Sequence, residues 1–385
     1  MKGLTSLGGA VVLQVLPALG GGGVERGSVE MAGAIAAAGG VALVASAGGR
    51  MAPQVTAAGG RNVLLPLDVK SPWGIWANAA RLERVIRDEG VRLVHARSRA
   101  PAWSAWIAAR RTGVHFVTTY HGAYGETLPG KRRYNAVMAR GERVIAISHF
   151  IARLIQQRHG VEPERLRVIH RGADPVMFDP AAVMPDRTQR LADEWRLPPG
   201  RHVVMLPGRL ARWKGQEVLI AALARLGRED VVAVLVGGDR QHAGYAREVA
   251  ALAGRLGVAV RMVGHCDDMP AALSLADVVV SASIEPEAFG RVVIEAQAMG
   301  RPVIATDHGG AVETVEHGAT GWRVPPGDAA ALAAALDHVL ALPAAERAAL
   351  GARARHAVLT HYSVAAMQAA TLNVYREVLG CSESW

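Results

Sequence analysis

The chain has 385 residues, half of them hydrophobic, which is enough for two domains with separate cores. Two cysteines, Cys266 and Cys381, exclude a disulfide framework and favour a reducing compartment. The net charge is +9, with +12 in residues 1–175 and −3 in the remainder. This asymmetry predicts an anionic partner for the first half, although an arginine-rich proteome would produce the same balance.

Short apolar runs alternate with helical patterns through the first half of the chain. Predicted strands are 10–16, 41–46, 62–66, 91–95, 114–119 and 143–147, and predicted helices are 24–39, 74–89, 101–112 and 148–159. This βαβα alternation predicts a doubly wound parallel sheet. The apolar segment 7–23 is broken by Gln14, Pro17 and glycines, so a first strand and a glycine-rich loop explain it better than a membrane span or a signal peptide.

A second α/β series follows residues 172–200, which are rich in Pro and Asp and are predicted to form a linker. Its predicted strands are 202–206, 231–236, 258–263, 277–281 and 302–305, with helices at 215–226, 243–256, 268–275 and 291–299. Three Ala-rich or amphipathic helices end the chain, at 328–342, 344–360 and 363–379. We therefore expect two Rossmann-like domains, 1–173 and 174–361, that face each other across a cleft.

Segment 281–310 contains two carboxylates, Glu287 and Glu295, on either side of a Phe289-Gly290 pair. The apolar run before it predicts a buried parallel strand, and the apolar spacing after Gly290 predicts a helix. Glu287 is thereby placed on the loop at the carboxyl end of a strand, where open α/β sheets bind ligands. Backbone N–H groups at the start of the helix can bind an anion. A nucleotide-sugar has the phosphates and hydroxyls that suit this arrangement.

The motif PGRLARWKG, 207–215, begins the second domain directly after its first strand. Two fixed cations at a strand end, Arg209 and Lys214, would neutralise a diphosphate leaving group. The plain structural alternative is a solvated surface pair. No Ser or Thr follows Lys214, so the segment is not a Walker A loop.

Two features of the first domain also lie after predicted strands. The glycines of 19–27 allow close approach of a ligand, but Glu25 and Arg26 occupy the positions where a dinucleotide fingerprint needs its third glycine. A nicotinamide dehydrogenase is therefore disfavoured, and a flexible turn remains an alternative. His121 follows a strand and could donate to a sugar hydroxyl or to a leaving phosphate, although a lone histidine is more often structural.

Basic and aromatic residues are concentrated in the later half of the first domain. Tryptophans recur at i,i+3 spacing in two pairs, and combined with cations they suit a membrane interface or an acceptor cleft. Helix–sheet packing with solvated arginines is the alternative. No motif for nucleic-acid binding accompanies them. The residues concerned are Trp73, Trp76, Trp103, Trp106, Arg97, Arg99, Arg110, Arg111, Lys131, Arg132, Arg133, Arg140 and Arg143.

Taken together in order and spacing, these segments resemble glycosyltransferase family 4, whose members are retaining enzymes of the GT-B fold. The matching segments are GGGGVER, TYHG, AISHF, VIHRGAD, GRLARWKG, VGGD, VGHCDDMP, the E-x7-E segment at Glu287 and Glu295, and GGAVETVEHGATGWRVPPGD. Residues 94–106, VHARSRAPAWSAW, also resemble members that build the lipopolysaccharide core. The resemblance implies that the final segment, 362–385, crosses back to complete the first domain.

The resemblance implies a role for each matching residue. Arg209 and Lys214 would hold the diphosphate, Glu287 the hydroxyls of the donor sugar, and Glu295 the ribose. Segment 263–266 would lie along the base, and His121 beside the transferred sugar. The implied catalytic residues are His121, Arg209, Lys214 and Glu287. The implied donor-binding residues are Gly22, Gly23, Arg209, Lys214, Gly264, His265, Glu287, Phe289, Gly290, Arg291, Val292 and Glu295.

The sequence therefore predicts transfer of a sugar from a UDP-, GDP- or ADP-sugar to a glycan or lipid-linked acceptor, in lipopolysaccharide or other cell-envelope polysaccharide synthesis. No cofactor or metal is expected, because Arg209 and Lys214 replace the metal. A cytoplasmic protein is expected, with peripheral contact between its basic domain and the inner face of the cytoplasmic membrane. A nucleotide-sugar epimerase or a phosphorylase on the same fold is the alternative, and a non-catalytic binding module is disfavoured. Arg97 departs from the family pattern, which often has a second histidine there.

Overall fold

The computed structural model describes residues 6–126, 128–238 and 243–380. Asp239 of the VGGD motif, Cys381 and the end of the predicted segment 362–385 lie outside the described residues. The chain divides into two compact units. Unit 1 comprises Met1–His170 and Ala365–Trp385, and unit 2 comprises Arg171–Val364.

Unit 1 is built around a seven-stranded parallel sheet of order β3-β2-β1-β4-β5-β6-β7. Its strands are β1 (Val11–Val15), β2 (Val41–Ser46), β3 (Arg61–Leu64), β4 (Val91–Ala96), β5 (His115–Tyr120), β6 (Arg143–Ala146) and β7 (Leu166–Val168). Its helices are α1 (Gly23–Ala37), α2 (Ala52–Ala57), α3 (Pro72–Asp88), α4 (Arg99–Thr112), α5 (Lys131–Asn135) and α6 (His149–His159), with α15 (Val364–Leu379) from the end of the chain.

Local sequence signals set the ends of several helices in unit 1. Ser71 and Ser148 cap α3 and α6, where each hydroxyl accepts a hydrogen bond from a backbone N–H three residues later. Helices α4 and α6 end at Gly113 and Gly160, both in the left-handed conformation that lacks a steric penalty for glycine.

The last helix, α15, packs on unit 1, which confirms that the end of the chain crosses back to the first domain. Its Tyr375 hydroxyl lies 2.6 Å from Nδ1 of His95, and Nε2 of the same ring lies 2.7 Å from the Thr119 hydroxyl. Burial, reinforced by the charge of Arg97, lowers the pKa of His95 well below its usual value. The His95 ring is therefore neutral and bonded on both sides.

Unit 2 contains a six-stranded parallel sheet of order β10-β9-β8-β11-β12-β13. Its strands are β8 (His202–Pro207), β9 (Val231–Val236), β10 (Val260–Gly264), β11 (Val278–Ser281), β12 (Val303–Thr306) and β13 (Trp322–Val324). Its helices are α7 (Pro185–Glu194), α8 (Gln216–Leu226), α9 (Ala243–Arg255), α10 (Met269–Leu275), α11 (Arg291–Ala298), α12 (Ala311–Thr314), α13 (Ala329–Ala341) and α14 (Ala344–His361).

The predicted linker at 172–200 is wrong in part, because helix α7 lies within it. This helix is almost entirely polar, and Leu191 is its single buried residue. Its position is fixed by a bidentate ion pair from Arg187 to Asp268 in the cap of α10, at 2.9 and 2.6 Å. With a single buried apolar residue, the segment lacks the repeated apolar positions from which the other helices were predicted.

Among the described residues, no single helix is long and apolar enough to cross a membrane. The pair α13 and α14, bent by 111° at its break, passes that test by length and composition only.

Candidate active site

The predicted donor-binding residues of unit 2 lie at the carboxyl ends of its strands. Arg209 and Lys214 follow β8, Glu287 follows β11, and Gly264 ends β10. Strands β8 and β11 are neighbours in the sheet, so the loops that follow them lie side by side. Segments distant in sequence thus meet at one edge, as the doubly wound topology requires.

Lys214 and Glu287 form an ion pair at the centre of this edge. Nζ of Lys214 donates to Oε1 of Glu287 at 2.7 Å, and the two side chains are only 13% and 16% exposed. Lys214 lies at the end of a short 3₁₀ helix, Arg212–Lys214, and Nζ is 4.5 Å from the centre of the Trp213 ring. The sequence placed both residues in the site, but it did not indicate that they contact each other.

Glu287 is held as an anion by its surroundings. Burial by itself would raise the pKa of this carboxyl, but the charge of Lys214 and hydrogen bonds from Ser283 and Ser281 outweigh burial and lower it. The Ser283 hydroxyl donates to Oε1, and the Ser281 hydroxyl donates to the same atom at 3.3 Å. Sequence analysis missed both serines, and the only signal was that strand β11 ends in small polar residues.

Glycines on neighbouring loops allow the backbones around this ion pair to pack closely. A Cβ at Gly215 would collide with the carbonyl oxygen of Ala282, and one at Gly310 would collide with the backbone of Phe289. Gly310 also donates its N–H to the carbonyl oxygen of Glu287 at 2.8 Å. The Glu287 loop is therefore fixed from both sides, by the loop after β8 and by the loop after β12.

The β12 loop supports the site through a second contact. The His308 ring nitrogen Nε2 lies 2.8 Å from the carbonyl oxygen of Ser283, and the Thr306 hydroxyl donates to the same oxygen at 2.9 Å. Ser283, which donates to Glu287, is thus itself held in place through its carbonyl oxygen. Neither His308 nor Thr306 was among the predicted site residues.

Helix α11 begins beside Glu287, as the sequence predicted. Gly290 precedes it with φ 84° and ψ 58°, a left-handed conformation that glycine adopts without strain. Phe289 is buried, and within the described residues no side-chain cap is found at the start of α11. One turn into the helix, Arg291 and Glu295 form an ion pair at 2.9 Å. The start of α11 thus offers backbone N–H donors next to a fixed cation and a carboxylate.

The other predicted residues of unit 2 lie along the same edge. Arg209 is exposed, and its carbonyl oxygen accepts a hydrogen bond from the buried Gln216 side chain at 2.9 Å. Gly264 is left-handed at φ 71°, and its carbonyl oxygen accepts from Gly237 at 2.6 Å. His265 is half-exposed and lies 2.9 Å from Asp267. Val292 lies in the first turn of α11.

The predicted residues of unit 1 lie at the carboxyl edge of their own sheet. Gly22 and Gly23 are at the start of α1, directly after the loop that follows β1. His121 is partly buried and follows β5. Arg97, after β4, is 3% exposed, and its Nη1 donates to Oε1 of Gln14 at 3.0 Å. Arg97 is therefore a buried residue rather than part of a solvated basic surface.

Two Rossmann-like parallel sheets, with a cation–carboxylate site at a helix start in the second, define a protein of the GT-B class. Two family profiles match: residues 21–176 match "Glycosyltransferase Family 4", and residues 188–357 match "Glycosyl transferases group 1". The chain belongs to glycosyltransferase family 4.

Individual relatives agree with this assignment. A glycosyltransferase from Rickettsia africae has a solved structure that is 34% identical, with a TM-score of 0.89 over 97% of this chain and 100% of that one. The "D-inositol 3-phosphate glycosyltransferase" of Salinispora arenicola is 33% identical over 64% of this chain and 60% of its own length. Anabaena HepE, solved in complex with UDP-glucose, shares the fold with a TM-score of 0.83 at 24% identity, over 95% of this chain and 99% of that one.

The chain spans 60–67% of the length of the curated relatives it matches.

Proposed function

We propose that the protein is a retaining glycosyltransferase that moves a sugar from a nucleotide diphosphate-sugar to a hydroxyl of a glycan or glycolipid. The observation that carries this proposal is the largely buried Lys214–Glu287 ion pair beside the start of α11, where Gly290 supplies no side-chain cap. A largely buried cation, a fixed anion and backbone N–H donors at a helix start together match a diphosphate bonded to a sugar. That the fold relative from Anabaena was solved with UDP-glucose supports this class of donor.

Each part of the donor has a proposed partner in unit 2. Lys214, exposed Arg209 and the backbone N–H groups of 289–291 would bind the diphosphate. Glu287 would accept hydrogen bonds from the sugar hydroxyls, and Glu295, held by Arg291, would accept them from the ribose. The base would lie along Gly264 and His265, and Val292 would line the same site. From unit 1, Gly22 and Gly23 would approach the phosphates, and His121 the transferred sugar.

Glu287 is suited to binding rather than to nucleophilic attack. Lys214, Ser283 and Ser281 all donate to its Oε1, which disperses the charge that a nucleophile would need. We therefore favour attack from the same face as the leaving group. The acceptor oxygen bonds to the anomeric carbon as the bond from that carbon to the phosphate oxygen breaks, and the acceptor proton passes to the leaving phosphate. Lys214 and Arg209 stabilise the charge that develops there, so no divalent metal is required.

We also propose that the enzyme acts in the synthesis of lipopolysaccharide or another cell-envelope polysaccharide, at the inner face of the cytoplasmic membrane. The surplus of positive charge in residues 1–175 supports contact with an anionic membrane. So do Trp73 and Trp76 on α3, which are 83% and 55% exposed. The other pair, Trp103 and Trp106, pack edge to face at 5.9 Å and are half-buried.

A product assay tests the proposed function. The protein is incubated with UDP-, GDP- and ADP-sugars and a set of acceptors that includes lipopolysaccharide-core oligosaccharides and D-inositol 3-phosphate. We expect an acceptor-dependent product whose anomeric configuration, read by NMR, matches that of the donor, in the presence or absence of a chelator. Donor isomerisation without an acceptor would indicate an epimerase instead, and a requirement for inorganic phosphate would indicate a phosphorylase.

A further inference from the structure

Unit 1 has a shallow pocket lined by four arginines and one histidine, none of which is among the residues assigned above to donor binding or catalysis. We call it the arginine pocket. Gly130, Ala136 and Ala139 contribute small side chains or none to its wall. Its charged lining consists of Arg132, Arg133, Arg140, Arg158 and His159.

Two of these arginines are held in place by backbone oxygens. Nε of Arg132 donates to the carbonyl oxygen of Arg158 at 2.9 Å, and its Nη2 donates to the same atom. Nη1 of Arg158 donates to the carbonyl oxygen of Tyr124 at 2.6 Å. A carbonyl orients a guanidinium without cancelling its charge, so both side chains are ordered and remain cationic.

Arg140 is positioned by aromatic rings. Its guanidinium carbon lies 4.2 Å from the centre of the Trp106 ring and 5.2 Å from that of Trp103. Nε1 of Trp103 donates to the carbonyl oxygen of Tyr134 at 3.0 Å, which fixes the ring. Stacking on tryptophan also leaves the positive charge available to an anion.

Negative charge near the pocket is scarce within the part of the chain that the structure describes. Glu126 lies 3.8 Å from Nε of Arg158 and 3.8 Å from Nε2 of His159. Burial, with the charges of Arg132 and Arg158, outweighs Glu126 and lowers the pKa of His159. Within the described residues, Glu126 is the carboxylate at ion-pair distance from this cluster, so it offsets only part of the positive charge, and a phosphate would offset more.

The surroundings favour a phosphate carried by a lipid over one free in solution. Leu128 is 61% exposed and lies two residues before Gly130 of the pocket wall. Trp106, which stacks on Arg140, also contacts Arg110 at 5.2 Å. An exposed leucine and half-buried tryptophans around a cluster of arginines are the combination that lies at a membrane–water interface.

We propose that the arginine pocket binds the phosphate headgroup of an anionic phospholipid and so docks unit 1 on the membrane surface. This inference rests on the membrane contact proposed above and is independent of sugar transfer.

Vesicle cosedimentation of the full chain tests the inference. We expect binding to phosphatidylcholine vesicles that contain phosphatidylglycerol, and little binding to phosphatidylcholine alone. The double variant Arg133→Gln/Arg140→Gln, which removes two of the three exposed arginines of the pocket, should reduce vesicle affinity about 10- to 30-fold. The matched control Arg247→Gln/Arg255→Gln removes the same charge from exposed positions of α9 in unit 2. It should bind within about twofold of the wild type.

Each other outcome has a definite meaning. An equal loss of vesicle affinity in the two double variants, or no loss in the pocket variant, would overturn the assignment of the arginine pocket but not the proposed membrane contact. Failure of the wild-type protein to bind anionic vesicles would overturn both the pocket assignment and the proposed membrane contact. Release from vesicles by glycerol phosphate at concentrations comparable to those of lipid would identify a site for soluble phosphates instead. Sugar transfer to a soluble acceptor, measured in parallel, is expected to be unchanged in the pocket variant and reports separately on the proposed function.

Discussion

Lys214 and Glu287 are 73 positions apart in sequence, yet Nζ of one lies 2.7 Å from Oε1 of the other. Each has a second role in the site: the lysine ends the loop after β8, and the glutamate precedes helix α11. Their ion pair joins these loops at the carboxyl edge of the sheet. It also keeps both charges in place before a ligand arrives, which is the preorganisation that electrostatic catalysis requires.

Replacing Lys214 by alanine tests its proposed role in stabilising the leaving diphosphate. We expect a loss of roughly 2–4 kcal/mol of transition-state stabilisation, or a fall in kcat/KM of about 30- to 1000-fold. Steady-state kinetics with the preferred donor gives the value. Arg212→Ala removes a cation from the same 3₁₀ helix, but one that pairs with Glu217 and Glu248, and should have little effect. Turnover of Lys214→Ala within about tenfold of the wild type would contradict the assignment.

The same ion pair predicts how stability depends on pH. Because the folded protein lowers the pKa of Glu287, this group stabilises the fold above its unfolded pKa, and the contribution is lost as the pH falls through the folded value. Without Lys214, burial is expected to dominate and raise that pKa, so that the charged form becomes destabilising at neutral pH. The difference in the free energy of unfolding between the wild type and Lys214→Ala, measured with urea, should therefore be smaller at about pH 4 than at neutral pH.

The control for this prediction is the Glu287→Gln background, where position 287 has no carboxyl to titrate. There the effect of Lys214→Ala should be independent of pH over the same range. An equal pH dependence in both backgrounds would show that another group is responsible.

Gly310 is predicted to be essential for the position of the Glu287 loop. A methyl group there would collide with the backbone of Phe289, so Gly310→Ala should destabilise the protein by about 1–3 kcal/mol and weaken donor binding. Gly254→Ala, an exposed position of α9 with open space around it, is the matched control and should be neutral or slightly stabilising. Calorimetric titration of each variant with the donor gives the affinities. Unchanged donor affinity in Gly310→Ala would show that the close approach of Gly310 to the Phe289 backbone is not needed for donor binding.

Docking of the last helix on unit 1 depends on the hydroxyl of Tyr375. Tyr375→Phe leaves Nδ1 of buried His95 without its partner and should cost about 1–3 kcal/mol in urea unfolding. Asn373→Ala changes an exposed residue of the same helix and should cost much less. Similar costs for the two variants would indicate that apolar packing of α15, rather than this hydrogen bond, holds the helix.

Much of the fold could be predicted because strand cores in parallel sheets are continuous apolar runs. Strands β2 and β9 lie at the predicted residues, Val41–Ser46 and Val231–Val236. Elements without such a signal were missed. Strands β7 and β13 have three residues each, and helix α7 is mostly polar, with Leu191 as its one buried residue.

The positions of the candidate site residues in the fold could be predicted from the sequence, but their contacts could not. Motif spacing placed Lys214 and Glu287 at strand ends, because the topology brings all carboxyl ends to one edge. Nothing in the spacing indicates that Ser283 donates to Glu287 or that His308 holds the Ser283 carbonyl. These contacts depend on how adjacent loops pack. A single serine or histidine is not part of a sequence pattern from which that packing could be predicted.

The central claim is that unit 2 binds a nucleoside diphosphate between Lys214 and the start of α11. Isothermal titration calorimetry with UDP, GDP and ADP, on the wild type and on Lys214→Ala, tests it most directly. The account predicts that at least one of these nucleotides binds the wild type at one site per chain and binds the variant much more weakly. Binding of none of the three, or equal affinity in both proteins, would contradict it.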